Sequence, residues 1–104
     1  MKLKVKITAF AYNQLISITE YYNAAGYQRR GKKLKNELIK QTGLLAKNPK
    51  LGQEEFYLQV LNQRHRYLLI DPSFKIIYLQ IGEIIYVTDI FDTRQYPEKI
   101  NPLV

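Results

Sequence analysis

The first residues of the chain alternate between charged and apolar side chains, which is the pattern of a half-buried β-strand. In the segment Lys2–Ile7 the apolar positions 3, 5 and 7 point to one side, and three lysines point to the other. Because charge along an outer side discourages pairing with a further strand, the segment is predicted to lie at the edge of a sheet.

After Thr8 the apolar positions recur every three or four residues, which predicts helices. Thr8 is a suitable N-cap for a first helix that begins at Ala9, and Gly26 suits the position just past its end. A second helix is predicted over residues 27–47, because Pro49 prevents its continuation. The apolar stripes of the two helices are Ala11, Leu15, Ile18, Tyr22 and Ala25, then Leu34, Leu38 and Leu45. The short connection between them predicts an antiparallel helical hairpin.

The second half of the chain is predicted to form a sheet, because short apolar segments are separated by turn signals. The four candidate strands are Phe56–Leu61, His65–Ile70, Phe74–Ile81 and Ile84–Phe91. A proline occupies the second position of the turn at 71–73, and Gly82 opens a two-residue loop of the type II′ kind. The tail, 92–104, is predicted to be irregular or to form a short helical turn. The fold is therefore α+β: an N-terminal strand, an antiparallel two-helix hairpin and a four-strand antiparallel meander, in a mostly antiparallel sheet.

Length and composition limit what this fold can contain. A chain of 104 residues is one domain, 1–104, and its 46% apolar and 24% charged residues are typical of a globular protein. There is no cysteine and only one histidine, so neither a metal centre nor thiol chemistry is predicted. No glycine-rich phosphate-binding motif indicates a cofactor. Without a membrane-spanning apolar run or a recognisable signal peptide, a cytoplasmic location is expected.

The charge is unevenly distributed along the chain. The net charge is +7, but residues 1–52 hold 11 basic and 2 acidic residues, whereas residues 53–104 hold 5 basic and 7 acidic residues. Five cations lie within 29–35, at the start of the second predicted helix, where they oppose the helix dipole. Such a surface indicates a polyanionic partner, either nucleic acid or an acidic protein segment, although a solvated lysine-rich face has the same pattern. The candidate contact residues are Arg29, Arg30, Lys32 and Lys33.

A second set of polar residues lies near the ends of the predicted strands. Cleavage of RNA without a metal ion requires cations for the developing charge on phosphorus, a base for the 2′-hydroxyl and an acid for the leaving oxygen. The candidate cations are Arg66, Lys75 and Arg94, and the candidate proton-transfer groups are His65, Glu54, Glu55 and Tyr96. None of these spacings is specific, since a lone strand histidine is more often a packing residue.

Arg94 is predicted to be the most function-sensitive residue of this set. Its guanidinium keeps its charge at any accessible pH and offers five donors in a planar fork, which suits a phosphate or a carboxylate. The alternative is structural: Arg94 pairs with Asp92 or Glu98 and pins the tail.

Six short segments, taken in order, extend over nearly the whole chain. Five of them are K-V-K-I-T-A-F-A at 4–11, E-Y-Y at 20–22, N-P-x-x-G at 48–52, R-Y-L-L-I at 66–70 and F-K-I-I-Y at 74–78. The sixth and most specific is I-F-D-T-R-Q-Y-P-E-K at 90–99. Together they resemble the RelE/ParE superfamily of toxins from type II toxin–antitoxin modules, also described as plasmid stabilisation proteins.

The resemblance implies a small sheet that carries a helical hairpin, and growth inhibition that a cognate antitoxin relieves. The antitoxin is expected to be acidic and partly disordered, and to wrap the toxin. RelE-like members cut mRNA on the ribosome, whereas ParE-like members inhibit DNA gyrase.

The residues carried over from the family divide between these two targets. Lys75, Arg66 and Arg94 fall where ribosome-dependent members carry cations, but Asp92 replaces a common histidine and Ile100 replaces a catalytic tyrosine. Inhibition of DNA gyrase is therefore expected in preference to ribosome-dependent mRNA cleavage. A non-toxic basic binding module, or a decayed toxin, is the third alternative.

Overall fold

The computed structural model of the chain describes residues 3–71 and 73–104. Two helices, α1 (Ala9–Ala24) and α2 (Gln28–Lys47), pack beside a five-stranded sheet. The strands are β1 (Lys4–Ile7), β2 (Gln53–Glu54), β3 (Arg66–Ile70), β4 (Phe74–Ile81) and β5 (Ile84–Asp92). Two 3-10 helices follow β2 and β5, namely η1 (Phe56–Leu61) and η2 (Pro97–Lys99). No helix in the described residues is long and apolar enough to cross a membrane.

The helical hairpin begins and ends close to where the sequence predicts. The Thr8 hydroxyl accepts a hydrogen bond from the Ala11 amide at 3.2 Å, which satisfies a donor that the first helical turn leaves free. Just past α1, Gly26 has a φ of +85°, a left-handed conformation that glycine adopts without a Cβ clash. Of the predicted apolar stripes, the three leucines of α2 are buried, whereas Ala25 lies past the end of α1 and is exposed.

The sheet has the strand order β1-β5-β4-β3-β2, so β1 lies at an edge as predicted. Strand β1 is parallel to β5, and β2 to β5 form an antiparallel meander. The predicted two-residue loop between β4 and β5 is confirmed: Ile81 pairs with Ile84, and Gly82 has a φ of +60°. Two residues of the predicted elements, Lys2 of the first strand and Pro72 of the turn before β4, lie outside the described residues.

The strand predicted over 56–61 is wrong, because these residues form η1 and the second strand is the short β2 before it. The Glu55 amide donates to the His65 carbonyl at 2.8 Å, and the Glu55 carboxylate accepts the Tyr57 amide at 3.3 Å. Glu55 thus bonds to the residue that precedes β3 and also caps η1. Only Leu58 of η1 is buried, so the apolar composition that favoured a strand does not reflect burial on alternate residues.

The two faces of the sheet carry different cores. The helices cover one face, where the main core includes Leu15, Tyr22, Leu34, Leu38, Phe74, Ile76, Tyr78, Ile85, Val87 and Ile90. The opposite face, called the second face below, carries a smaller core. This core consists of Ile77, Phe91, Leu58 and Ile100, with Tyr67 packed against it. Segments η1 and the tail therefore cover part of the second face.

A β-bulge in β5 changes which of its residues point toward the helices. The pairing shifts between Ile77–Asp89 and Tyr78–Val87, so β5 has one more residue than β4 at this point. As a result, Val87 and Ile90 both belong to the main core, although their separation of three residues would place them on opposite faces of a regular strand.

Candidate functional site

Arg94 follows β5 on the side that the helices cover. Its Nε and Nη2 donate to the two carboxylate oxygens of Asp92 at 2.9 and 2.8 Å. The hydrogen bond from the Arg94 side chain lowers the pKa of Asp92, and the same contact raises the pKa of Arg94. The Arg94 side chain is 65% exposed, so the pairing orients the guanidinium without burying it. Both residues line a cavity of about 390 Å³ whose other walls include Gln14, Tyr21 and Phe74.

Lys75 lies in β4 on the second face, where its charge is used within the protein. Its Nζ is 2.8 Å from Oε1 of Glu55, whose side chain is 1% exposed, and 4.1 Å from the centroid of the Tyr67 ring. The ammonium group compensates a carboxylate that would otherwise be buried without a counter-charge, and the ring adds a cation–π contact. Glu55, a proton-transfer candidate in the sequence, is therefore engaged as the anchor that joins η1 to the sheet.

Arg66 lies in β3 on the helix-covered face, opposite Tyr78 of β4. Its Nη1 donates to the Gly52 carbonyl at 2.7 Å, while the Tyr78 hydroxyl donates to the Pro49 carbonyl at 2.9 Å and accepts the Gly52 amide at 2.8 Å. Burial raises the pKa of Tyr78, which keeps this hydroxyl protonated. These bonds attach the segment between α2 and β2 to the sheet. A Cβ at Gly52 would lie 2.3 Å from the Tyr67 carbonyl oxygen, so the close approach requires glycine.

The three candidate cations lie at separate places in the fold. Arg66 is paired with Tyr78 of the main core, whereas Lys75 is stacked on Tyr67 of the second face. Arg94 lies past the end of β5, beside α1. A phosphate group that contacts one of these residues is therefore separated from at least one other by the thickness of the sheet.

The remaining candidates for proton transfer lie apart as well. His65 is 2% exposed, and its Nε2 hydrogen-bonds to the Pro102 carbonyl at 3.0 Å. Because a carbonyl only accepts, this bond assigns the proton to Nε2. The other nitrogen, Nδ1, is buried and has no partner within residues 3–71 and 73–104. Tyr96 is 72% exposed in the tail, and Glu54 is exposed in β2. In this geometry His65 packs the tail against the start of β3.

Asp89 is a buried carboxylate that the sequence-based candidates do not include. Its side chain is buried, with 1% of the residue exposed, and its Oδ2 accepts the Asn101 amide at 2.9 Å. Burial raises the pKa of Asp89, and hydrogen bonds from the Asn101 amide, the Gln14 side chain and the Ile90 amide oppose this shift. The signal was present in the sequence, since an aspartate interrupts the apolar strand at 84–91. Asp89 and His65 together hold the tail on the sheet.

The four candidate contact residues at the start of α2, called the basic cluster, comprise one engaged cation and three available ones. Arg30 is 3.1 Å from Asp71, and its guanidinium carbon lies 5.3 Å from the centroid of the Tyr22 ring. The other three residues are exposed and form no ion pair within the described residues. These are Arg29, Lys32 and Lys33, which border an open cavity of about 320 Å³ on α2.

Comparisons with known proteins point to one family. The family model described as the ParE toxin of type II toxin-antitoxin system, parDE, matches residues 5–97. Eight chains from solved structures also match. One belongs to the chromosomal ParDE TA system from P. aeruginosa, with a TM-score of 0.70 and 17% identity over 88% of this chain and 96% of that chain. At this identity the structural likeness shows the fold. No curated protein sequence matches.

Proposed function

Because the chain belongs to the family of ParE toxins of type II toxin–antitoxin systems, we propose that it arrests bacterial growth by inhibiting DNA gyrase. The family match over residues 5–97 carries the proposal, since ParE-like members of the superfamily act on gyrase. A ParDE system also implies an antitoxin as a partner of this toxin. The proposed site of action is the cytoplasm, where gyrase and its DNA are found.

The geometry supports inhibition by binding rather than cleavage of RNA. Cleavage needs cations and a proton-transfer group around one phosphate, but Arg66 and Lys75 lie on opposite faces of the sheet, and the Lys75 ammonium is paired with Glu55. The one histidine of the chain, His65, is buried under the tail. Inhibition by binding needs only a shaped surface with oriented polar groups.

Arg94 is proposed as a contact with the target. Asp92 occupies two of the five donors of its guanidinium, which leaves three for a carboxylate or a phosphate. The ion pair orients the group before binding, so less side-chain freedom is lost on contact. The adjoining cavity, with Tyr21 and Phe74 in its walls, provides apolar surface beside the charge.

The target is tested by inducing the chain in a bacterium and assaying purified gyrase with the purified chain. We expect filamentation and DNA breaks to precede any arrest of translation, and supercoiling by gyrase to fall with increasing toxin. Arrest of translation first, with supercoiling unaffected, would contradict the proposal.

Arg94→Ala tests the proposed contact separately from the family assignment. We expect growth inhibition to be lost while the thermal unfolding midpoint and the affinity for the antitoxin stay near wild type, because the Arg94 side chain is 65% exposed and an ion pair of this kind contributes little to stability. Arg94→Lys keeps the charge but loses the planar fork, and should be intermediate. Full growth inhibition by a well-folded Arg94→Ala variant would show that Arg94 is not a target contact.

The basic cluster is proposed to attract an acidic segment of the antitoxin. Reversing the three available cations should lower the association rate about tenfold at low salt and flatten its salt dependence. The three changes are Arg29→Glu, Lys32→Glu and Lys33→Glu, whereas Arg30 is kept because it pairs with Asp71. A control with the same change in net charge reverses Lys4, Lys6 and Lys99. An equal loss of rate in the control would mean that only the overall charge matters.

A further inference from the structure

A cation-lined cavity lies on the helix-covered side of the sheet, between the segment after α2 and the loop before β3. Its volume is about 270 Å³. The charged residues in its wall are Lys50, Arg64 and Arg66, with Glu54 as the one acidic residue. Its other lining residues are Pro49, Gln63, Tyr78, Gln80 and Gly82. The charged groups sum to +2, so the cavity favours an anion.

One wall of this cavity is held in place before any ligand binds. The Gly52 carbonyl accepts from Arg66 at 2.7 Å, and the Tyr78 hydroxyl bridges Pro49 and Gly52 at 2.9 and 2.8 Å. The bond from Arg66 uses one of the five guanidinium donors and fixes the plane of the group. Four donors are left for an anion, and two oxygens of a phosphate match the spacing of a guanidinium fork.

The opposite wall depends on an unusual backbone conformation at Arg64. Its φ is +64°, in the left-handed region, where arginine has no local advantage. Asn62, two residues earlier, is also left-handed with a φ of +57°, but asparagine adopts this conformation more readily and here ends η1. Strained residues of this kind concentrate at functional sites. The Arg64 side chain forms no ion pair within the described residues, so its charge is available to a ligand in the cavity.

We infer that this cavity is a binding site for a phosphate monoester, formed by Lys50, Arg64 and Arg66. A phosphate monoester carries a charge of about −1.5 to −2 at pH 7, which balances the surplus of two positive charges, whereas a backbone phosphodiester carries only one. At about 30 Å³ per water, the cavity has room for roughly nine waters. That is enough for a phosphate with a small group attached, and less than the volume of a site for a drug-sized ligand. The site shares no lining residue with the cavity that Arg94 borders.

The test is a titration of the full ¹⁵N-labelled chain with phenyl phosphate, at constant ionic strength set by sodium chloride. We expect saturating shifts of the amide signals of Gly52, Arg64 and Arg66, with half-saturation in the millimolar range. Dimethyl phosphate, a diester of one charge, should bind at least tenfold more weakly. Equal affinity for the diester would overturn the assignment to a monoester and would instead indicate a site for a nucleic-acid backbone.

Two variants and a control test which residues form the site. Lys50→Gln and Arg64→Asn should each weaken phenyl phosphate binding about tenfold, whereas Lys35→Gln, which removes the same charge from an exposed position on α2, should leave it unchanged. Arg64→Asn places a residue that tolerates the left-handed conformation at this position, so its thermal midpoint should be equal to or above wild type while binding falls. Absence of saturation in the wild-type chain, or an equal loss in Lys35→Gln, would refute the site.

Discussion

Substitution of Lys75 tests which interaction holds η1 on the second face. The variant Lys75→Met keeps the length and the apolar stem of the side chain but removes the ammonium group, which lies 2.8 Å from Glu55 and 4.1 Å from the Tyr67 ring centroid. Because the Glu55 side chain is 1% exposed, the carboxylate cannot reach water unless η1 moves. The change therefore leaves a buried charge without its partner.

The loss of stability expected for Lys75→Met follows from the burial of Glu55. Removing one partner of a buried ion pair costs about 3–5 kcal/mol, and the lower end applies because the Lys75 side chain is 21% exposed. At an unfolding entropy of about 2.1 cal/mol/K per residue, 104 residues give about 0.22 kcal/mol/K. A loss of about 3 kcal/mol then lowers the thermal midpoint by about 14 °C.

The assay is thermal unfolding followed by circular dichroism, with urea unfolding as a second measure. The double variant Lys75→Met with Glu55→Gln removes both charges and keeps an acceptor for the Tyr57 amide that caps η1. We expect it to regain most of the lost stability, because replacing a whole buried pair is far less costly than breaking one. The double variant also separates stability from a target contact of Lys75, since growth inhibition can then be measured on a folded chain.

Two results would refute this reasoning. A midpoint for Lys75→Met within about 2 °C of wild type would mean that Glu55 is solvated or finds another partner. A double variant no more stable than Lys75→Met would mean that the charge on Glu55 is not what destabilises the single variant.

Two further predictions concern the tail and the segment after α2. Asp89→Asn should be more stable than wild type at pH 7, because burial raises the pKa of Asp89 and penalises the charged form in the folded state. Since the folded wild-type chain binds the Asp89 proton more tightly than the unfolded chain, the stability difference between the two proteins should shrink as the pH falls toward the ordinary aspartate pKa of 3.8. Urea unfolding of both proteins at pH 7, 5 and 4 measures this difference. A stability difference independent of pH would contradict the prediction. Gly52→Ala should lower the free energy of unfolding by about 2 kcal/mol, because a Cβ there would lie 2.3 Å from the Tyr67 carbonyl oxygen. Gly43→Ala, with nothing within 4 Å of the added Cβ, should instead gain about 0.5–1 kcal/mol from helix propensity, and equal midpoints for the two alanine variants would rule out the steric explanation.

Local patterns determine most of the secondary structure. The alternation over 4–7 gives β1, the cap at Thr8 begins α1, and Gly26 and Pro49 limit the two helices. These signals work because each depends on neighbours within four residues: the pleat of a strand, the free amides of a helical turn and the sterics of a turn. The family resemblance is also read from short contiguous segments of the sequence.

The sequence predicted η1 incorrectly because its conformation depends on a distant contact. The segment 56–61 has the composition of a strand, but the chain leaves the sheet at Glu55, whose amide bonds to His65 just before β3. The ion pair to Lys75, 20 residues later, then holds this turn. Propensity is a weak prior, and a tertiary contact of this kind overrides it.

For the candidate site too, the sequence identifies the residue types, whereas the positions of the side chains depend on contacts between distant residues. The sequence identifies Arg66, Lys75 and Arg94 as notable cations, but it does not show that two of them point to opposite faces of the sheet. That follows from the register of the β3–β4 hairpin, in which Ile70 pairs with Phe74. A shift of one residue in register moves every side chain of a strand to the other face of the sheet. The bulge in β5 makes such a shift beside Asp89. The sequence by itself therefore determined the residue types and the elements that carry them, whereas only the tertiary structure decided which charges meet, because pairing across strands and burial depend on residues far apart in the chain.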